Sequence, residues 1–399
     1  MLIFTAVLAA WIAAETLLDR FLEARQAVVD MFPSRRRPGW TYQGFIRAMH
    51  RWAGPLLSLL GGAFRSEIRQ MAGRHWTREG FTAFAVDGSR VECPRTKANE
   101  KALGRGGRKK TGPQFWLTVL WHMGLGLPWA WKIGPSTDAE RNHLRDMLAT
   151  LPSASLLVAD AGFVGYDLMA AILAAGHSFL IRVGANVTLL KQLGYTKIEN
   201  AQTVYLWPQE VQRKNLLPLV LRLIVLWKKG KPIYLLTNLP ADQLTDAQAS
   251  VLYGMRWGVE VFYRSLKQTL HHRKMLSAAP RQARLELEWA LTGLQLLGMV
   301  SAAAILSRGK DPLCWSVAMS LRAVRQMVQE KTSRRRTGRS LLGRLASAVK
   351  DSYVRRSSKK ARNWPHKKND PPAGQPNLRK AKPAEISRSK RLMAINCPV

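Results

Sequence analysis

Residues 155–183 read SLLVADAGFVGYDLMAAILAAGHSFLIRV: an apolar run, an amphipathic stretch and a second apolar run. The first run, 155–159, predicts a buried strand that ends on Asp160. The stretch 166–175 predicts a helix that ends at Gly176, because glycine commonly follows the last helical turn. Residues 177–183 predict a further strand. Strand, helix and strand in this order indicate a mixed α/β sheet with parallel members.

The residues upstream of this unit predict short strands joined by loops, without a helix between them. Residues 81–86 predict a short apolar strand that ends at Asp87, and Gly88-Ser89 is typical of a turn. A return strand is then expected over 90–93 and a third strand over 114–123. Three short strands in succession favour an antiparallel meander beside the α/β unit.

Composition divides the whole chain into six segments. The apolar start, residues 1–14, lacks the basic region of a signal peptide and predicts a buried helix instead. The predicted segments are a helical N-terminal region (1–75), the first part of the sheet core (76–185), a β-rich insertion (186–231), the second part of the core (232–306), a C-terminal helical region (307–345) and a basic, disordered tail (346–399).

The charge balance indicates the kind of partner. Lys and Arg number 62 and Asp and Glu 26 among 399 residues, which gives a formal net charge of +36, while 47% of the residues are hydrophobic. A folded protein with this surplus favours a polyanion, above all nucleic acid, over an acidic protein surface or an anionic membrane. The uncharged run 289–307 is interrupted by polar and small residues, so we expect a core helix there and no membrane partner.

Cysteine content and the tail add two further expectations. The three cysteines, Cys93, Cys314 and Cys397, lie far apart, which argues against a zinc module or a disulfide framework and fits a reducing compartment. Residues 331–399 hold 20 Lys and Arg against three acids. Such a tail is either a non-specific tether for DNA, since each neutralised phosphate releases counterions, or a solubilising appendage.

Acidic residues are scarce, so their positions are informative. Asp87 and Asp160 are each expected at the end of an apolar strand. Each carboxylate alone suits a turn or a helix N-cap. Two such carboxylates on neighbouring strands would instead face one crevice, where divalent cations can bridge acids and phosphate oxygens.

A long helix is predicted over 245–270. At about 100° per residue, five polar side chains fall within roughly 80° of one another. They are Tyr253, Arg256, Glu260, Arg264 and Lys267. The opposite face is apolar, which indicates that it packs on the core. Ion pairs on a solvated helix face explain the charges equally well, but they do not explain the tyrosine among them.

The stretch from Tyr253 to Lys267 has the pattern Y-x2-R-x3-E-x6-K and resembles the signature of DDE transposases of the insertion-sequence-four type. Val86-Asp87-Gly88-Ser89 resembles the first aspartate block of that family. Residues 158–163, VADAGF, resemble the second block, and 233–239 look like the strand before the signature helix. The resemblance covers about 80–270.

This resemblance implies an RNase H-like fold, a β-rich insertion and a metal-dependent catalytic triad. Asp87, Asp160 and Glu260 are the implied ligands of two Mg²⁺ ions, for which Mn²⁺ can substitute. The implied DNA contacts are Tyr253, Arg256, Trp257, Arg264 and Lys267. Some members stack a flipped base on a tryptophan beside the pre-signature strand; Ile233 occupies that place here, so the nearby Tyr234 or Trp227 is the expected stacking residue.

The implied activity is transposition of an insertion sequence. DNA is cleaved at terminal inverted repeats, and a 3′-hydroxyl then attacks target DNA. Joining two ends requires a dimer in the synaptic complex, and the expected location is the cytoplasm, at the nucleoid. Two alternatives stay open: a structure-specific nuclease of related fold, and a transposase-derived DNA-binding protein without catalysis. None of the three acids is replaced in this sequence.

Overall fold

A computed structural model describes residues 1–106, 112–196, 199–228, 230–332, 338, 340–351 and 373–396. The described helices are α1 (Leu2–Trp11), α2 (Leu17–Met31), α3 (Tyr42–Ala72), α4 (Lys97–Leu103), α5 (Glu140–Met147), α6 (Tyr166–Ala174), α7 (Gln209–Arg213), α8 (Asp246–Met255), α9 (Trp257–Arg264), α10 (Pro280–Leu306), α11 (Val317–Thr332), α12 (Leu341–Ala346) and α13 (Pro383–Asn396). The described strands are β1 (Ala83–Glu92), β2 (Gln114–His122), β3 (Leu127–Pro135), β4 (Leu156–Ala159), β5 (Ser178–Val183), β6 (Thr188–Lys191), β7 (Thr203–Leu206), β8 (Leu219–Lys228), β9 (Lys231–Thr237) and β10 (Asn377–Lys380).

The chain forms two compact units, which are described separately. The first comprises Met1–Arg78, Asp87–Met147 and Trp257–Asp351. The second comprises Glu79–Val86, Leu148–Arg256 and Ser352–Val399. Strand β1 contributes its first half to the second unit and its second half to the first.

The first unit combines a small sheet with most of the helices. Strand β2 neighbours β1 and pairs antiparallel with β3, from Phe115 opposite Pro135 to His122 opposite Leu127. The predicted meander is wrong in its members, because the strands expected over 81–86 and 90–93 are one strand, β1, and the antiparallel pair is β2 with β3. The turn expected at Asp87-Gly88-Ser89 was wrong, because β1 continues through these residues without interruption.

Helix α10 forms the core of the helical part of the first unit. Trp289 on α10 packs with Ala6 and Val7 of α1 and with Met49 and Ala53 of α3. This confirms the predicted buried helix at the N-terminus. Helix α10 is long and apolar enough to cross a membrane, but most of its apolar window is buried inside the protein. Its hydrophobicity is therefore accounted for by core packing.

The second unit has the strand order β10-β6-β7-β8-β9-β5-β4-β1. The parallel strands β1, β4 and β5 are in register, with Ala83 opposite Leu156 and Leu156 opposite Ser178. Strands β9, β8, β7 and β6 continue antiparallel from β5, and β6, β7 and β8 lie in the range 186–231 where the β-rich insertion is expected. Three parallel strands in the order β5-β4-β1, followed by β2 and β3, form the RNase H-like arrangement that the family resemblance implies.

The predicted helix over 245–270 is divided into three parts. Thr245 caps α8 through a reciprocal bond with Gln248, as its sequence position suggests. The helix is interrupted at Arg256, and α9 then leads into a π-helical turn, Ser265–Thr269. The sequence has no proline or paired glycine at these positions, so neither interruption was visible in it.

The tail also differs from the prediction. Residues 352–372 and 397–399 lie outside the described residues, so disorder there stays a prediction. Strand β10, however, pairs in parallel with β6, and Leu392 of α13 is buried against Tyr205 and Trp207 of the insertion. A low apolar content predicted disorder, but the segment adds its few apolar side chains to an existing core instead of forming its own.

Glu385 holds this C-terminal segment in place. Its carboxylate accepts two hydrogen bonds from Arg379, at 2.6 and 2.8 Å, one from the Lys382 backbone N–H and one from Gln212 of α7. The bonds from Arg379, with those from Lys382 and Gln212, lower the pKa of Glu385 from 4.5 to about 2. The Glu385 carboxylate therefore stays ionised in the folded protein at pH values well below the usual pKa of a glutamate.

We expect the docking of α13 to weaken as the pH falls. A carboxyl with a depressed folded-state pKa stabilises the fold fully above its unfolded pKa, near 4.5, and loses this contribution as the pH falls toward 2. Hydrogen-exchange protection factors of 377–396, corrected for intrinsic rates, should fall between pH 6 and pH 3. Glu385→Gln should lower protection already at pH 6 and flatten this dependence. Equal protection in both proteins would show that Glu385 does not hold the helix.

Candidate active site

Asp87 lies in the middle of β1, where the strand changes from buried to half-exposed. Residues 83–86 are buried, whereas Asp87 and the next three residues are half-exposed. The Gly88 backbone N–H donates to Oδ1 of Asp87 at 2.9 Å. A methyl group on Gly88 would lie 2.5 Å from Oε2 of Glu140 and 3.1 Å from the Trp116 ring. Gly88 therefore permits a second acid, Glu140, to lie directly beside the backbone that carries Asp87.

Glu260 lies on α9, and a tyrosine one turn later attaches this helix to β1. Val259, Phe262 and Tyr263 form the buried face of α9, while Glu260 is half-exposed. The Tyr263 hydroxyl donates to the Asp87 carbonyl at 2.7 Å and lies 3.1 Å from the Leu117 carbonyl of β2. Burial, with the Asp87 and Glu140 charges, raises the pKa of Tyr263 well above its usual value, so it stays a hydrogen-bond donor.

Lys267 lies in the π-helical turn and places a cation near Asp87. Its Nζ donates to the Ser89 hydroxyl at 2.7 Å, two residues beyond Asp87 on the same strand. Burial, followed by the nearby Arg273 charge, lowers the pKa of Lys267, while Glu92 and Asp87 oppose this effect. Lys267 thus lies beside the first aspartate block in the first unit.

Asp160 lies in the second unit and immediately follows β4, as predicted. Its Oδ1 accepts a hydrogen bond from the Gly162 N–H at 2.9 Å and so caps the short 3₁₀ turn Ala161–Phe163. Asp160 is half-exposed. The sequence left open whether this residue was an N-cap or a functional acid; it is an N-cap, and its half-exposed carboxylate remains accessible to a ligand.

Tyr253 lies within the electrostatic range of both Asp160 and Arg256. The Arg256 guanidinium lies 5.6 Å from the centre of the Tyr253 ring. Burial raises the pKa of Tyr253, Arg256 and Arg182 act in the opposite direction, and Asp160 adds to the increase. The Tyr253 phenol is thus influenced by two cations and one acid of the second unit.

The remaining candidates differ in accessibility. Trp227, near the end of β8, is 73% exposed and pairs with Pro232 of β9, whereas Tyr234 is half-buried and pairs with Val183 and Val225. Trp257 is 60% exposed and Arg264 is exposed.

Sequence reasoning missed Ser89, Glu140 and Tyr263. Ser89 belongs to the first aspartate block and Tyr263 to the signature helix, but neither was expected to have a role of its own.

The carboxylates suit a hard cation in their chemistry. Asp87, Asp160 and Glu260 offer half-exposed oxygen ligands, the type that Mg²⁺ prefers. Asp87 and Glu260 belong to the first unit and Asp160 to the second. Within the described ranges, no group of three or more His, Cys, Asp or Glu side chains is already assembled for a metal ion.

Comparisons with known proteins identify the class. Residues 78–296 match the model of the transposase DDE domain. Transposase InsG for insertion sequence element IS4, from Escherichia coli (strain K12), is 26% identical over 217 residues, which cover 50% of this chain and 47% of that protein. The match therefore spans about half the length of this relative.

One solved structure is also similar in outline. It is the cryo-EM structure of a piggyBac transposase synaptic complex with hairpin DNA, with a TM-score of 0.41 and 11% identity over 92% of this chain and 84% of that chain. This likeness is too distant to add to the argument. The family match covers more than half of the residues, and it includes all three acids and the signature helix. The chain belongs to the transposase DDE domain family.

Removal of the Tyr263 hydroxyl should loosen the attachment of α9 to β1. Tyr263→Phe leaves a buried carbonyl without its donor, at a cost of about 1–3 kcal/mol in the free energy of unfolding. We expect faster hydrogen exchange in β1 and α9 and a lower denaturation midpoint. Tyr205→Phe, a matched loss of a buried phenol that bonds Glu199, should leave exchange in β1 unchanged. Identical exchange maps for the two variants would contradict this role of Tyr263.

Proposed function

We propose that this protein is an active DNA transposase of an insertion sequence. It cleaves DNA strands at the ends of the element and transfers the resulting 3′-hydroxyl into target DNA. One observation carries the proposal: the signature segment bonds the strand of the first aspartate block, where Lys267 donates to Ser89 beside Asp87. In the second unit, Asp160 and Arg256 both act electrostatically on Tyr253 of the same segment. A solvated helix face, the competing explanation of the stripe, does not account for these contacts.

Asp87, Asp160 and Glu260 are the proposed ligands of divalent metal, two Mg²⁺ ions with Mn²⁺ as a substitute. When bound, such ions supply an activated oxygen nucleophile and stabilise the leaving oxygen in phosphoryl transfer. The fit rests on the half-exposed oxygen ligands of all three residues. Tyr263 supports the arrangement within the first unit, because it bonds the Asp87 carbonyl from the helix that carries Glu260.

Cations of the signature segment are proposed to hold the DNA. Arg256, Arg264 and Lys267 place positive charge on the helices that carry or adjoin Glu260. A phosphate held by a guanidinium or ammonium group forms short, charge-assisted hydrogen bonds, which fix the position of the strand. Tyr253 contributes a protonated phenol beside Arg256, since burial raises its pKa. The chain would thus orient the scissile phosphate toward the carboxylates and offset its charge.

Exposed aromatic side chains are proposed to bind unpaired bases. Trp227 is favoured over Tyr234 for stacking a flipped base, because its indole is 73% exposed while Tyr234 is held between two strands. Trp257, 60% exposed, is a further contact beside Arg256. Stacking of a base on an aromatic ring contributes about 1–3 kcal/mol.

The N-terminal helices are proposed to contact the element ends. Helix α3 exposes Arg47, Arg51 and Arg69, and Trp52, 51% exposed, lies beside Arg51, whose guanidinium is 5.6 Å from the ring centre. A basic helix with an exposed aromatic side chain suits phosphate contacts. The proposed partners are therefore terminal inverted repeats and target DNA, with a dimer in the synaptic complex. The proposed location is the cytoplasm, at the nucleoid.

The triad is tested by isosteric amides. Asp87→Asn, Asp160→Asn and Glu260→Gln should each abolish strand cleavage in Mg²⁺ and in Mn²⁺, since an amide oxygen is a weak ligand for a hard cation. Binding of DNA ends should persist, because the amide keeps the hydrogen bonds that Asp87 and Asp160 accept. The control, Asp242→Asn, changes an exposed acid outside the site and should cleave normally. Cleavage by any triad variant would remove that residue from the set. A wild-type chain that binds ends without cutting would favour the non-catalytic alternative.

The signature cations are tested separately. Arg256→Ala and Lys267→Ala should impair paired-end complexes or strand transfer by about 10- to 100-fold, which corresponds to a lost charge-assisted contact of about 1.5–3 kcal/mol. Arg256→Lys should restore little, because a point charge does not reproduce the guanidinium fork. Gel assays for end complexes beside cleavage assays give the two readouts. If Arg256→Ala assembles and cuts like wild type, the stripe is only a solvated face.

A further inference from the structure

The C-terminal segment 377–396 extends the β-rich insertion of the second unit. Strand β10 follows β6 residue by residue, from Asn377 opposite Thr188 to Lys380 opposite Lys191. Helix α13 then packs on the insertion through Leu392, and Arg388 donates to Asn215 Oδ1 at 2.9 Å, just beyond α7. The segment therefore has a fixed position on the insertion, which a flexible tether does not have.

The charges of this docked segment are nearly all of one sign. Residues 377–396 contain six cations and one acid, Glu385. Glu385 is buried and is satisfied by Arg379 and by groups of its own unit, so its charge does not reach the surface. The exposed cations are Lys380, Lys382, Lys390 and Arg391 on the segment and Arg213 and Lys214 at the end of α7. Asn215, which bonds Arg388, follows Lys214 directly and so connects the two groups.

We propose that β10, α13 and the end of α7 form a second DNA-binding surface, which holds the phosphate backbone of duplex DNA without reading its sequence. This inference rests on the proposed function, because it assumes that DNA is the polyanion. Duplex DNA carries one phosphate charge per about 1.7 Å of its axis, so several fixed cations bind it together. None of the six cations has an exposed aromatic neighbour on the segment, so phosphates are the matching partner and unpaired bases are not.

A docked surface and a flexible charged tail differ in one measurable respect. A tail binds DNA through its net charge in any conformation, whereas a surface requires the segment to be docked. Glu385→Gln separates these cases, because it raises the net charge by one and weakens the bonds that hold α13. The amide keeps one acceptor oxygen but loses the negative charge and the second acceptor, while Arg379 and Lys382 donate to both oxygens of the carboxylate. A tether would bind DNA at least as tightly after this change, and a surface would bind it less tightly.

The experiment measures binding of the full chain to a duplex of arbitrary sequence, without divalent metal, over a range of salt concentrations. Lys390→Ala with Arg391→Ala should reduce the slope of log K against log salt by about 1.8, at about 0.9 per phosphate contact. The matched control is Lys97→Ala with Lys101→Ala, which removes two exposed charges from α4 and should leave the slope nearly unchanged. Glu385→Gln should weaken binding about tenfold.

Two results would overturn the proposal: equal slopes for the two double variants, or binding by Glu385→Gln that matches or exceeds wild type. Cleavage at low salt by the Lys390→Ala, Arg391→Ala protein should match wild type, since neither residue belongs to the catalytic site. A wild-type chain that fails to cleave but shows the expected slopes would refute the proposed function and leave this surface standing.

Discussion

Strand β1 must pair along both edges while it carries an acid in its middle, and much of the structure follows from this requirement. Its first half pairs with β4 in the second unit and its second half neighbours β2 in the first. A turn at Asp87 would break both arrangements. Gly88 keeps the backbone extended where Glu140 and Trp116 leave no room for a side chain. Tyr263 then fixes the Asp87 carbonyl from α9.

The scarcity of acids gives each of them a defined role. In a chain of net charge +36, an acid on the surface attracts many cations. Glu385 is buried and bonded by Arg379, Glu286 is bonded by the Leu276 and Ser277 N–H groups, and Asp246 pairs with Arg222. These acids organise the fold. The proposed triad residues are half-exposed, but so is Glu286, and Asp246 is exposed. What sets the three proposed ligands apart is their position in the two aspartate blocks and the signature helix.

The sequence predicted those features that depend on local pattern. Asp160 after β4, the glycine after α6 and the buried α10 follow from apolar periodicity and from residues that end helices, which act over a few positions. Asp87 was misplaced because Asp-Gly-Ser has the composition of a turn, and only the packing of Glu140 and Trp116 shows that it is a strand. Segment 377–396 was missed because the residue on which it packs, Tyr205, lies far away in the chain and is invisible to a local pattern. Tyr263 was missed because its hydroxyl bonds the carbonyls of Asp87 and Leu117, which lie on strands far away in the sequence.

The π-helical turn at Ser265–Thr269 has a consequence for how this signature is defined. A spacing of six residues between Glu260 and Lys267 places both on one face of a regular α-helix, whereas here the segment between them runs from α9 into a π-helical turn. A π-turn winds the chain more slowly about the helix axis than an α-turn does. Lys267 lies within this turn and donates to the Ser89 hydroxyl from there. In a related chain whose helix is regular here, the same spacing would place the lysine at a different angle about the helix axis, so the spacing alone does not define where the lysine points.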